Sequence, residues 1–560
     1  MGRHCGAVIF GVVALLMAWA MARLFANGPN YTDSFYHLNA ANSLYAGDGL
    51  VDHYLWTYVD APESLPAPSH RYWMPLTSVL AAIGMALLAA PDSFQAAQFL
   101  FVLATAGAGL VAYLLALLLG GGRRQAWVAG LLTVMGGYFA PRWGAIDTFA
   151  PYALVGSLCL LLIGMSAKSK GNRVLYAALS GLFAGLCHLT RPDGVLMLFT
   201  ALLVSLWGPA MRSRGRSAAA KRLAALTQNR KPSRRTSDAA YVDRGWNRGV
   251  YAALILTCYI LTMFPWFLGN LNATGAVLPE GGLRAIWFQE YDDLFNYPND
   301  ASPRNFFADG LETLARTRAI GIANGLGTFV AVEGGIVLAP FMLIGLWRRR
   351  RNPLLGGFWF YAIGIHLLMC LLFPLPGYRG GLFHAVSALF PFWMALGVLG
   401  LDDAINWIGK RSESWNRGHT KPLYSMTVLI VGASLSLVIA DRAGIDQEPP
   451  LPAAYAAIHS VLPADARVMI NDPARLYYQL GMTGVSLPNE SIDVAFEIAA
   501  KYDVGYILME NVTDDGFARA APRKLQFDLD DPPRFLRQIL LEDLPHAGLY
   551  EFLHDSPKAS

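Results

Sequence analysis

The chain has 560 residues, of which 54% are hydrophobic and 15% charged, and its formal net charge is +4. Apolar runs recur along most of its length, which excludes a soluble globular protein and marks a polytopic helical membrane protein. All five cysteines (Cys5, Cys159, Cys187, Cys258 and Cys370) lie inside apolar runs, which excludes a disulfide framework and a cysteine-based zinc site.

A span needs about 20 apolar residues. On that measure the sequence predicts eleven: 5–26, 94–119, 126–140, 150–167, 174–190, 194–208, 250–269, 326–347, 354–373, 386–401 and 423–440. The first could also be read as a signal peptide with Ala18 and Ala20 at a weak cleavage signal. Between the first two spans lies a loop, 27–93, in which 32–46 has helical spacing (Phe35, Leu38, Asn42, Tyr45) and stops at Gly47. Its apolar stretch 74–90 is long enough to pass for a twelfth span, and the basic loops decide against that. GGRRQ (121–125), KSKGNR (168–173), the loop 209–249 with its eleven basic and two acidic residues, WRRRRNP (347–353) and GKRSESWNRGHTK (409–421) all fall on the cytoplasmic side only if 74–90 stays in the outer interface. An N-out chain with twelve spans would also keep them inside, but it would put the acid-rich segment 27–73 there as well. The loop 209–249 reads as a flexible segment against anionic headgroups.

After residue 440 the composition becomes ordinary. ARVMIND (466–472), GVSLP (484–488) and VGYILME (504–510) predict strands, and 493–502 and 532–542 predict helices. The expected architecture is therefore a membrane domain, 1–440, and a small α/β domain, 441–560, placed outside by the odd span count. Four Asn-x-Ser/Thr sequons (Asn30, Asn272, Asn489, Asn511) also fall outside, although such matches arise by chance.

This topology gathers polar residues from four loops on the outer face: Asp33, Asp147 in PRWGAIDTFAP, Arg191 and Asp193 in LTRPDG, and Arg379 and His384 in PGYRGGLFHA. Each also has a plain explanation. Asp33 and Asp147 precede helices and can serve as N-caps. Arg191 and Asp193 can form a local ion pair at a turn, and His384 can be an interfacial histidine. Their convergence on one face is what points to a site.

The motifs TDSFYHLNAANSL, RYWMPLTSVLAAIG, FPWFLGNLNATGAVLP and GGLFHAVSALFPF, with Asp147 between them, together resemble the GT-C membrane glycosyltransferases, nearest in pattern to the protein O-mannosyltransferase and aminoarabinose-transferase branch. The resemblance spans roughly residues 1–440. It implies a polyprenyl-phosphate sugar as donor, a protein, lipid or glycan acceptor, and an acid in the outer loops at the catalytic centre. Asp33 is then the base and Asp147 a second catalytic carboxylate. Arg379, Arg191 and His384 are the candidate phosphate contacts, because an Arg fork suits phosphate, and Asp193 is a further substrate-binding candidate. Tyr36, His37, His70, Arg71, Trp73 and Trp287 are candidates for lining the substrate clefts, with membrane anchoring the plain reading of the aromatics. A WWDYG-like motif, expected of an oligosaccharyltransferase, is absent from the tail. A divalent metal at Asp33 and Asp147 stays open, and no nucleic-acid partner is indicated. The resemblance implies the plasma (inner) membrane as the location, with the N-terminus cytoplasmic. A lipid or solute transporter or flippase, or a non-catalytic scaffold, are the competing classes; matched Gly/Pro-broken segments in two halves, which a transporter would show, are not evident.

Overall fold

In the computed structural model the described residues are 3–169, 171–207, 245–279, 281–308, 310–412, 417–443, 451–509, 511–512, 517–519, 524–528, 531–541 and 547–553. Most of the basic loop 209–249 lies outside them. The membrane part is built from α1 (Arg3–Phe25), α2 (Thr32–Ala46), α3 (Leu76–Leu88), α4 (Phe94–Leu118), α5 (Arg123–Met135), α6 (Ala140–Trp143), α7 (Phe149–Lys168), α8 (Arg173–Thr190), α9 (Pro192–Trp207) and α10 (Gly245–Thr274). After short helices α11 (Gly281–Arg284) and α12 (Pro303–Ala308) come α13 (Gly310–Gly327), α14 (Ala339–Arg349), α15 (Gly356–Leu367), α16 (Pro374–Pro376), α17 (Leu382–Ala385), α18 (Phe390–Ile408) and α19 (Arg417–Ala443).

Among the described residues eight helical segments are long and apolar enough to cross a membrane, and together with the solvent-facing apolar side chains they make this a multi-pass membrane protein. α1, α10 and α19 leave large apolar residues outward, Val8, Leu16, Leu261 and Ile430 among them. A backbone whose polar groups are paired within the helix can present such a surface to lipid at no hydrogen-bonding cost. The eight segments match eight of the expected spans, and the other three are shorter or broken. The helix predicted over 126–140 ends at Met135, because Gly136 and Gly137 both take positive φ. The one over 194–208 begins at Pro192 and falls below full span length. The stretch 326–347 is interrupted after Glu333 by a turn in which Gly335 and Ile336 have positive φ. α3, at 13 residues, reaches only about 20 Å, short of the roughly 30 Å hydrocarbon core.

Three of the basic loops, 121–125, 347–353 and 409–421, meet at one end of the bundle. Arg124 pairs with Asp402 and donates to the Lys421 carbonyl, while Arg349 pairs with Asp403 at 2.7 Å and reaches the Leu119 carbonyl. α7 runs from Asp147 to Lys168 and α5 from Arg123 toward Asp147, so Asp147 lies at the opposite end.

The C-terminal part is α/β, with α20 (Ala453–Val461), α21 (Pro473–Leu480) and α22 (Ile492–Tyr502). The chain's strands are β1 (Val51–Asp52) and β2 (Ala67–Pro68) in the first loop, then β3 (Val468–Ile470), β4 (Gly484–Ser486), β5 (Tyr506–Met509), β6 (Asn511–Val512), β7 (Phe517–Arg519), β8 (Gln526–Asp528), β9 (Leu536–Ile539) and β10 (Gly548–Phe552). β1 pairs with β2, β6 to β8 form a small sheet, and the main sheet has the order β4-β3-β5-β10-β9. β3 is parallel to β4 and β5, and β10 is antiparallel to β5 and β9. The predicted strands at 466–472, 484–488 and 504–510 and the helix 493–502 are present. The predicted helix 532–542 is instead strand β9: Pro532 and Pro533 precede it, and Leu536 to Ile539 hydrogen-bond along β10.

The first loop covers the free β4 edge. Leu55 bridges Val485 in parallel, donating to Gly484 at 2.9 Å and accepting from Ser486 at 2.8 Å. Thr32 donates to Asp472, Asn39 to the Ala474 carbonyl and Tyr502 to the Pro62 carbonyl, so this domain is seated on α2 and the loop behind it. Of the sequon asparagines, Asn489 is buried and Asn30 half-buried.

Candidate active site

The chain segment before Asp147 is shaped by close packing. Gly144 sits where a Cβ would lie 3.0 Å from both Ala22 and Gln98. The buried Gln98 amide donates to the Ala26 and Gly144 carbonyls, both at 2.7 Å. One side chain on α4 therefore fixes the end of α1 and the approach to Asp147. Asp33 is delivered from the other side by α2, in whose first turn it lies; the N-cap position belongs to Tyr31, so Asp33 does not cap the helix. The stop at Gly47, with φ of 97°, is as the sequence predicts. His384 arrives on α17 after the Gly380-Gly381 bend, where φ of Gly380 is 131°, and its ring stacks on Phe149 at 3.8 Å.

Ligand-capable atoms of Asp33, Asp147 and His384 lie within 4.8 Å of one another. The two carboxylates stand in unequal surroundings. Asp147 is buried, accepts from the Tyr31 hydroxyl at 2.8 Å and from the Thr148 amide, and has His384 Nδ1 at 3.6 Å. Burial alone would raise its pKa, but His384, His37 and these donors outweigh burial and hold it below the usual carboxylate value. Asp33 keeps part of its surface open and, among the described residues, accepts no hydrogen bond. Burial, and next the Asp147 charge, push it up to about 8 despite Arg142 and Arg191 nearby. Two carboxylates and an imidazole are also a donor set that suits a divalent cation.

The surrounding cations differ in availability. Arg191 spends Nε and Nη2 on a two-pronged pair with Asp193, both at 2.9 Å, and also reaches the Gly381 carbonyl; the local ion pair foreseen in LTRPDG is formed. Arg379 is exposed and lies over the Tyr291 ring at 4.1 Å. Arg142 lies over the Tyr31 ring at 4.2 Å, and its buried Nη1 has no partner among the described residues. Arg142 was overlooked in the sequence although it stands five residues before Asp147 in the same motif. Tyr31, Tyr72 and Tyr291 were missed too, since interfacial tyrosines carry no distinguishing signal.

The first-loop candidates form a network beside this centre. His37 Nδ1 and His70 Nε2 each meet Ser78 Oγ at 3.0 Å, and Ser69 Oγ meets His70 Nδ1 at 2.6 Å. The Tyr36 hydroxyl donates to Asp52 at 2.8 Å and accepts from the His70 amide. Burial lowers His37 to about 4, so it is neutral near pH 7. Arg71 pairs with Asp60 at 3.0 Å, and Trp73 packs on Tyr36 and Trp56. Trp287 packs on Phe306.

No family profile and no curated protein matches the chain. Solved structures do. ArnT from Cupriavidus metallidurans, bound to undecaprenyl phosphate, superposes with a TM-score of 0.55 at 13% identity, covering 100% of both chains. AglB, an oligosaccharyltransferase from Archaeoglobus fulgidus in complex with an inhibitory peptide and a dolichol-phosphate, gives a TM-score of 0.53 at 14% identity over 90% of this chain and 69% of its own. Both are GT-C glycosyltransferases, and the present chain has the GT-C fold.

Proposed function

We propose that this protein is a membrane glycosyltransferase that moves a sugar from a polyprenyl-phosphate donor to an acceptor hydroxyl, with Asp33 as the general base. The observation that carries the reading is the unequal carboxylate pair. Asp147 is satisfied by its donors, while Asp33 is open and pushed up to about 8, near the value at which a base is most effective. Asp33 takes the acceptor proton as the acceptor oxygen bonds to the anomeric carbon. The bond from that carbon to the phosphate oxygen breaks, and the lipid phosphate leaves as an anion. In this reading Arg142, whose Nη1 has no partner among the described residues, and the exposed Arg379 meet that charge, and Arg191 contributes its field from the Asp193 pair. Tyr31 and the Thr148 amide hold Asp147 in place. The lipid phosphates bound to ArnT and AglB support a lipid-linked donor.

The clustering of basic loops at the end opposite Asp147 supports an orientation with those loops and the N-terminus cytoplasmic, and the site and C-terminal domain outside the plasma (inner) membrane. The acceptor then arrives from water and the donor from the bilayer. α3 lies in the outer interface, consistent with its length.

The Asp33, Asp147 and His384 cluster favours a second reading, in which these three groups hold a divalent cation. When bound, such an ion supplies positive charge to the leaving phosphate. The readings separate in one experiment. Purified protein is assayed for co-purified lipid-linked sugar by mass spectrometry and for its transfer, before and after EDTA. With Asp33 as base, transfer survives EDTA and Asp33→Asn lowers it by roughly 10²–10⁴ while donor stays bound. Loss in EDTA that is restored by Mn²⁺ assigns the cluster to a cation, and full activity in Asp33→Asn refutes the base.

A further inference from the structure

The first loop encloses a second cleft beside the carboxylate centre. Its segments 52–57 and 60–73 wrap a cleft open at its mouth, lined by Tyr36, Tyr54, Trp56, Tyr72, Trp73 and Asp52. The walls are aromatic faces at close quarters: Trp56 and Trp73 have centroids 4.1 Å apart, Tyr36 and Trp73 4.3 Å, and Tyr72 meets Trp73 edge-on at 88°. At the mouth Arg71 and Asp60 satisfy each other.

Within this apolar lining Asp52 stands out. Its Oδ2 accepts from Tyr36, but Oδ1 is buried and has no partner among the described residues. A buried acceptor without a donor is unfavourable unless something that enters supplies one. With Arg71 engaged by Asp60, the lining offers no unengaged cation to a phosphate. Flat aromatic walls with one acceptor instead suit a ring that has C–H faces and polar hydrogens.

We propose that this cleft is a glycosyl-ring subsite, in which Trp56 and Trp73 face the C–H side of a sugar ring and Asp52 Oδ1 accepts a hydrogen bond from a hydroxyl or ammonium group on it. The proposal rests on the glycosyltransferase reading and extends it to a recognition group. The cleft adjoins the reaction centre: Tyr36 lines it one helical turn after Asp33 on α2, and Tyr72, also in its lining, feels the charges of Asp33 and Arg191. The ring can belong to the donor sugar or to a glycan acceptor, and the test separates these sources.

Full-length protein in nanodiscs is titrated with free methyl glycosides, neutral hexosides and pentosides and an amino-pentoside, by saturation-transfer NMR and tryptophan emission. At least one glycoside is expected to bind the wild type and Asp33→Asn alike, and to bind about tenfold more weakly in Asp52→Ala and Trp56→Ala. Asp52→Asn, which keeps the shape and one acceptor oxygen, guards against misfolding of the alanine form and should fall between. In the transfer assay a raised KM for the lipid-linked sugar assigns the ring to the donor, and a raised KM for the acceptor assigns it to the acceptor. Failure of every glycoside to bind the wild type, or wild-type affinity in both Asp52→Ala and Trp56→Ala, overturns the subsite. Should Asp33→Asn remain active while Asp52 still governs glycoside binding, the subsite stands and the base assignment falls.

Discussion

Asp33 and Asp147 have the same side chain and opposite states because Asp147 is surrounded by donors, whereas on Asp33, which accepts no hydrogen bond among the described residues, burial and the Asp147 charge outweigh Arg142 and Arg191. This sets the pH dependence. A base must be deprotonated, so kcat/KM should rise with pH and level off above about 8, the value to which Asp33 is pushed; a profile flat from pH 6 to 9 would remove Asp33 from that role. The same shift acts on stability. The folded-state pKa of about 8 exceeds the 3.8 of an unperturbed Asp, so the unfolded chain loses its proton first. Stability from this group is full below about pH 4 and declines as pH rises toward 8. Asp33→Asn removes that loss and should raise Tm by a few degrees at neutral pH, measured by thermal unfolding in detergent alongside the activity. For Arg142, the desolvated Nη1 predicts that Arg142→Ala weakens donor binding by at least about tenfold. Unchanged lipid-phosphate affinity in that variant would leave Arg379 to do the work.

At the scale of elements, the tight crossing of α14 and α18 carries the bundle behind His384. Gly345 and Gly400 face each other there: a Cβ on Gly400 would lie 1.9 Å from the Phe341 carbonyl oxygen, and one on Gly345 2.0 Å from that of Leu396. Small residues of this kind let helix backbones touch in a membrane. Gly400→Ala should therefore cost about 1–3 kcal/mol, whereas Gly11→Ala on α1, where a Cβ meets nothing within 4 Å, should be nearly neutral. Comparing the two melting curves checks this. The interruption between α13 and α14 has its own polar anchor: the buried Glu333 accepts from His366 at 3.0 Å and from the Trp393 indole. A carboxyl group buried in the bundle is tolerated because both its oxygens are hydrogen-bonded.

Across the whole molecule, the C-terminal domain and the first loop form one structure. Asp472 caps α21 by accepting from Arg475, and it also accepts from Thr32, next to Asp33. Asp472→Ala should cost about 1 kcal/mol through the lost cap, and hydrogen exchange should quicken both in 473–480 and in the Leu55 to Tyr58 segment on the β4 edge. Quickening confined to 473–480 would mean that the docking does not depend on this contact.

By itself the sequence determined the membrane class, eight spans, the three parallel strands and the loops that carry Asp33, Asp147 and His384. Those follow from local quantities: the length of an apolar run, the position of a glycine, the side on which arginines accumulate. Tertiary structure decided what depends on neighbours distant in the chain. It broke the helix at Glu333, where Gly335 and Ile336 turn, and made 536–539 a strand because β10 offered an edge. It placed Asp52 in a cleft and left Arg142 Nη1 without a partner among the described residues. It also made Asp33 and Asp147 unequal, because a carboxylate's charge state depends on the donors and burial around it, which a one-dimensional pattern does not contain.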